Sequence, residues 1–137
     1  MIKYKSGYKY ILAETYACKI SIIGYFAKTD FIVLDANGNL VIKQNYAWDG
    51  ATMFLDLKPI IRPSLIHDAL CQFIRSGLLS KNLLVTIHKI FKEEIEKDIK
   101  SLPDSWKYYG LPTLVYNGLL LSGKFGQGFD NKIKTAP

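Results

Sequence analysis

Histidine and cysteine are scarce in this chain, with two of each among 137 residues. Cys18 and Cys71 could form one bridge at most, which excludes a disulfide framework, and two thiols in a chain without an export signal are expected to be free. No apolar run approaches the roughly 20 residues that span a bilayer. The most apolar stretch, 111–121, is interrupted by Pro112, Asn117 and Gly118. The N-terminus alternates basic and aromatic residues and has neither the apolar region nor the cleavage site of a signal peptide. A Gly-x-Ser-x-Gly elbow, a His-Glu-x-x-His motif and a phosphate-binding loop are all missing. Gly123, Gly126 and Gly128 lack the flanking strand and helix of a nucleotide-binding fingerprint. Internal repeats and low-complexity segments are absent as well.

What is present fits one compact domain over 1–137. With 49% hydrophobic and 22% charged residues the chain is no disordered polymer, and at this length folding hides roughly two thirds of the extended chain's surface. The net charge of +6 invites a nucleic-acid reading, but the excess is thin everywhere. Residues 1–48 carry six Lys/Arg and three acids, 49–100 eight and seven, 101–137 four and two. A nucleic-acid surface shows a stripe or cluster, so a nucleic-acid partner is not expected.

The first 48 residues read as strands over 8–12, 17–23, 31–34 and 40–43, rich in β-branched and aromatic residues. Asn37-Gly38 supplies the positive φ angles of a tight hairpin between the last two. Residues 49–62 contain Gly50 and Pro59 and read as a loop. Pro63 then suits a helix's first turn, with Leu65, Ile66, Ala69, Leu70, Phe73 and Ile74 at helical spacing and Gly77 ending it. Ser80 can cap a second helix running to about Ser101, where Pro103 stops it. Its solvated face carries Lys89/Glu93, Lys92/Glu96, Glu93/Lys97 and Glu96/Lys100 at i,i+4 spacing. Residues 105–121 predict one or two further helical segments, with 123–137 as a tail. The expected fold is α+β: an N-terminal antiparallel sheet packed against a C-terminal helical hairpin plus a further helix, with the helical region over 63–122.

The chemistry-bearing residues concentrate around Trp48-Asp49-Gly50-Ala51-Thr52 and, eighteen residues after Asp49, His67-Asp68. At about 100° per residue, His67 falls at the edge of the apolar half of its helix, with Ser64, Asp68, Cys71 and Arg75 on the polar side. A histidine at such a seam suits a general base or a metal ligand. Asp68 points about 100° away around the helix, so the two serve neighbouring tasks and do not face one another. His67 and Asp68 are the candidate catalytic residues. Asp49, Asp68 and His88 are candidate ligands for a divalent cation, calcium or zinc, and Gly50 and Thr52 are candidate loop or oxyanion contacts. On the second helix His88, Glu94 and Asp98 interrupt the apolar stripe, and an antiparallel hairpin would bring His88 toward His67. Cys71, at i,i+4 from His67, is a further candidate nucleophile, though one helix rarely supplies the oxyanion donors too. Structural readings stand beside these: His67 bonded to loop backbone, His88 satisfied in the core, and Asp49-Gly50 a simple turn.

Asp49-Gly50-Ala51-Thr52, then Ile66-His67-Asp68-Ala69-Leu70, Ser80-Lys81 and Phe91 together resemble a family of small phage and prophage proteins of unassigned function. The resemblance covers roughly residues 29–100, with an echo at Tyr108-Tyr109. Met53-Phe54 stands where Ile-Pro is common in that family, and His88 where an acidic residue often precedes the phenylalanine by three. A more distant similarity is to the prokaryotic secreted phospholipase A2 pattern. That similarity implies His67 as base and Asp68 and Asp49 as calcium contacts, but the helix here lacks the disulfide cysteines, which leaves an analogy of site logic.

Two functions are therefore expected to compete. The first is a phage-type protein with a His-Asp-centred, metal-assisted hydrolytic site. The alternative is a non-enzymatic virion or tail component, or an inhibitor of a host protein, using its nine tyrosines and two tryptophans as anchors. Either is expected in the host cytoplasm on synthesis, with a phage or host protein as partner.

Overall fold

The computed structural model describes residues 2, 4–5, 10–48 and 57–124. The architecture is α+β, with antiparallel strands in two sheets followed by three helices. β1 (Tyr4–Lys5), β2 (Tyr10–Leu12) and β7 (Ala47–Trp48) form one sheet in the order β1-β2-β7. β3 (Tyr16–Lys19), β4 (Ala27–Lys28), β5 (Ile32–Leu34) and β6 (Asn39–Ile42) form the other, in the order β3-β6-β5-β4. Alternation explains the second sheet: Ile32, Leu34, Leu40 and Ile42 are fully buried on its inner face, with Ile32 opposite Ile42 and Leu34 opposite Leu40. The second expected strand, 17–23, is shorter, because the chain turns away after Ile20 and passes through a positive φ at Gly24.

The β5–β6 hairpin forms, but its turn differs from the one expected. Of Asn37 and Gly38, only Gly38 has positive φ (+85°). The Asp35 carbonyl accepts from Gly38 N–H at 3.1 Å, and its carboxylate accepts from the backbone N–H groups of Asn37 and Asn39 at 2.9 Å. An Asx-type turn followed by one left-handed glycine therefore replaces two positive-φ residues.

α1 runs Lys58–Arg75, five residues earlier than the expected start at Pro63. Pro59, a loop signal in the sequence, sits in the first turn, where its missing N–H is harmless. Pro63 lies inside the helix at the loss of one backbone bond. A 3-10 turn (Lys81–Leu83), whose Asn82 N–H is accepted by Ser80 Oγ at 3.1 Å, leads into α2 (Leu84–Lys100). A second 3-10 turn (Ser105–Tyr108) precedes α3 (Leu111–Lys124). α2 returns antiparallel to α1, since Arg62, in the first half of α1, meets Asp98 near the end of α2, and His67, midway along α1, meets His88 near the start of α2.

α1 is the central element. Leu65, Ile66, Ala69, Leu70 and Phe73 are fully buried, and Ser64 and Cys71, expected on an open polar side, are only 1% exposed. Aromatic side chains from β7 and the residue before it cover that side: the Trp48 indole donates to Ser64 Oγ at 2.9 Å, and Tyr46 OH donates to Gln72 Oε1 at 3.1 Å. Ser64 in turn donates to the Ile61 carbonyl at 2.7 Å. Of the four expected i,i+4 ion pairs on α2, none closes within 4.0 Å among the described residues. Glu94–Lys97, at i,i+3 and 2.8 Å, forms instead. Among the described residues, no helix is long and apolar enough to cross a membrane.

Candidate functional site

The packing of α1 on α2 joins the chain's two histidines. His67 Nε2 lies 3.0 Å from His88 Nδ1, with ring centroids 5.1 Å apart and planes inclined by 22°. The Phe91 ring, one turn further along α2, sits 4.8 Å from the His67 ring. The hydrogen bond requires one nitrogen to carry the proton and the other to offer its lone pair, and the tautomer decides which. His67 is 6% exposed and His88 4%, so the seam position suggested by helical projection is in fact an interhelical position.

Asp68 comes closer to His67 than their separation around the helix suggests. Its Oδ1 is 3.8 Å from His67 Nδ1, too long for a hydrogen bond but close enough for a favourable charge contact. The two nitrogens of His67 are thus occupied on different sides, one by a carboxylate and one by a second imidazole. His88 Nε2 bonds to none of the described residues, and none of their buried side-chain nitrogens and oxygens is unpartnered.

Electrostatics place any extra proton on His67. Burial works against charge there, but the Cys71 sulfur and the Asp68 carboxylate outweigh it and push the imidazole up to about 10. Burial, and then the charge on His67, bring His88 down to about 4. A proton added to the pair therefore sits on His67, beside Asp68.

Cys71 is adjacent but poorly aimed. Its sulfur is 3.7 Å from Nε2 and 3.9 Å from Nδ1 of His67. A group nearly equidistant from both nitrogens lies beside the ring and off the lone-pair axis of either, and His88 already occupies the Nε2 axis. Asp68 and His88 meet different nitrogens of His67, and the described residues contain no group of three or more His, Cys, Asp or Glu converging on one point. Asp49, Gly50 and Thr52 lie outside the described residues.

A second polar cluster, centred on Arg62, was not anticipated. Its guanidinium grips Asp98 with Nε and Nη2 at 2.7–3.1 Å, pairs with Glu94 Oε1 at 2.8 Å and donates to Tyr16 OH at 2.8 Å. Glu94 also accepts from Lys97 at 2.8 Å. Burial raises the Glu94 carboxyl, but Lys97 and Arg62 together outweigh it and hold it below its ordinary value. Acids interrupting an apolar helix stripe imply a buried cation facing them. That signal was present at Glu94 and Asp98, but Arg62 fell within the stretch read as loop.

No family model, curated protein or solved structure matches this chain.

Proposed function

We propose that this is a small phage-type protein with a hydrolase-like site in which Asp68, His67 and His88 form a proton relay. The observation that carries the reading is the 3.0 Å bond between His67 Nε2 and His88 Nδ1, with a carboxylate at the far nitrogen of His67. In the protonated form, His67 donates from Nε2 to His88 Nδ1 and directs its Nδ1–H toward Asp68, leaving N–H at His88 Nε2. That N–H can protonate a leaving group while the Nε2 proton of His67 moves to His88 Nδ1. Both rings are then neutral, and the lone pair now at His88 Nε2 can take a proton from water, which restores the first state. His67 thereby acts through His88, and burial keeps the relay rigid.

The test is hydrolysis of chromogenic carboxylic-ester, phosphoester and glycoside substrates. His88→Gln and His67→Gln are each expected to lower the rate at least about 100-fold, a loss typical of removing general acid–base catalysis, with the fold retained by circular dichroism. A parent without activity on any class, or variants as active as the parent, would remove the reading.

The low exposure of both rings favours a second reading. In it the protein is a non-enzymatic virion or tail component, or a host-protein inhibitor, and the pair only locks α1 to α2. The same variants would then lose stability while partner binding, measured on folded protein, stayed intact.

A further inference from the structure

Far from the histidine pair, a cleft of about 770 Å³ opens between the C-terminal end of α2, the second 3-10 turn and the start of α3. Trp106 and Tyr109 line it while 75% and 97% exposed. Large aromatic rings left this open contribute little to the core, and grouped exposed apolar surface marks a place of contact. The other 3-10 aromatic, Tyr108, also lines the cleft. Polar groups accompany the rings: Glu96 and Lys100 from α2, with Ser105 and Thr113, also line the cleft. Glu96 and Lys100 form no ion pair with each other or with any other described residue, so a carboxylate and an ammonium are both available to a ligand.

We propose that this cleft is a carbohydrate-binding site. A pyranose ring has one face of weakly positive C–H groups, which packs on the electron-rich face of an indole or phenol, and a rim of hydroxyls that must be hydrogen-bonded. Adjacent hydroxyls donate well to a carboxylate, and an ammonium donates to hydroxyl and ring oxygens, both as charge-assisted bonds. Exposed rings, one free acid, one free base and small hydroxyl side chains supply each of these partners in one open depression. A purely apolar ligand would leave Glu96 and Lys100 desolvated without compensation. A polyanion would gain Lys100 only at the cost of facing Glu96, so the lining has no net charge to favour it. The site is independent of the relay.

The experiment is a titration with soluble oligosaccharides, namely the β-1,4 trimers of glucose and of N-acetylglucosamine and the α-1,4 trimer of glucose, followed by tryptophan emission and saturation-transfer NMR. Trp48 is 1% exposed and provides a constant background, so a saturable blue shift reports on Trp106. At least one trimer is expected to bind, with Trp106→Ala and Tyr109→Ala each weakening it at least about tenfold. Glu96→Gln is expected to weaken it less. Both aromatic side chains are so exposed that their truncation leaves the fold unchanged by circular dichroism. The absence of saturable change with every trimer, binding that survives both aromatic substitutions, or a response to a proline-rich peptide alone would overturn the proposal.

Discussion

His67 and His88 stand 21 positions apart and share one hydrogen bond across the α1–α2 interface at 3.0 Å, with both rings nearly excluded from solvent. Such a bond contributes modestly while intact, but losing one partner strands the other. His88→Leu is expected to cost about 1–3 kcal/mol, because the His67 nitrogen is left buried without its acceptor or donor. His67→Leu should cost a similar amount. The double variant, which strands nothing, should lose clearly less than the sum. Urea unfolding of the four proteins gives the coupling directly, and simple additivity would show that the pair is not energetically joined.

The same pair predicts a stability profile with two limbs. His67 is pushed up to about 10, so between its ordinary 6.5 and that value the folded state holds a proton the unfolded chain has released, and stability falls as pH rises. His88 is brought down to about 4, so between 4 and 6.5 the unfolded chain binds the extra proton, and stability falls as pH drops. The lowered Glu94 carboxyl adds a further loss below its ordinary value of 4.5. The urea midpoint should therefore peak at about pH 6.5. His67→Gln should flatten the alkaline limb, and an unchanged alkaline slope in that variant would place its origin elsewhere.

Much of this fold could be read from the sequence because its local signals agree with its packing. Alternation at Ile32/Leu34 and Leu40/Ile42, the apolar spacing on α1, the Ser80 cap and the stop at Pro103 are all statements about one element at a time. What could not be read depends on two elements meeting. Pro59 looks like a breaker unless Leu57 is known to end extended, and Ser64 and Cys71 look solvent-facing until Trp48 and Tyr46 cover them. For the site, the residue types were legible and His88 could be suspected from its place in the stripe. The order Asp68, His67, His88 required the interhelical register, which no spacing encodes.

Arg62 is the clearest case of such long-range dependence. Its side chain is 14% exposed, and those of Glu94 and Asp98 are 10% and 24%. Arg62→Met leaves two largely buried carboxylates without their common partner and is expected to cost about 3–5 kcal/mol. Arg62→Lys retains the charge but not the planar fork that holds Asp98 and reaches Tyr16, so an intermediate loss is expected. Chemical denaturation provides the comparison. Lysine performing as well as arginine would mean that charge alone, without geometry, supports the contact between β3 and α2.

Gly38 and Gly24 offer a matched pair of left-handed positions, with φ of +85° and +86°. A Cβ on Gly24 meets nothing within 4 Å, whereas one on Gly38 would lie 2.3 Å from the Ile20 carbonyl oxygen and 2.9 Å from Ile23 Cδ1. Gly24→Ala should therefore show only the backbone penalty, about 1–2 kcal/mol. Gly38→Ala should exceed it, since the Ile20 N–H to Gly38 carbonyl bond at 2.8 Å must also shift. Equal thermal midpoints for the two variants would mean that the hairpin yields freely at Ile20.

Cys71 separates the relay from a thiol mechanism. It is 1% exposed and lies off the lone-pair axes of His67, so it is a buried packing residue. In a Cys18→Ala background, which leaves a single thiol, iodoacetamide should label Cys71 only after urea unfolding. Cys71→Ala should cost about 1 kcal/mol of packing and leave any hydrolytic rate within about twofold of the parent, against the roughly 100-fold loss expected for His88→Gln. Rapid alkylation of the folded protein with parallel loss of activity would reverse that ranking, because a thiol that reacts in the native state must be both accessible and ionised.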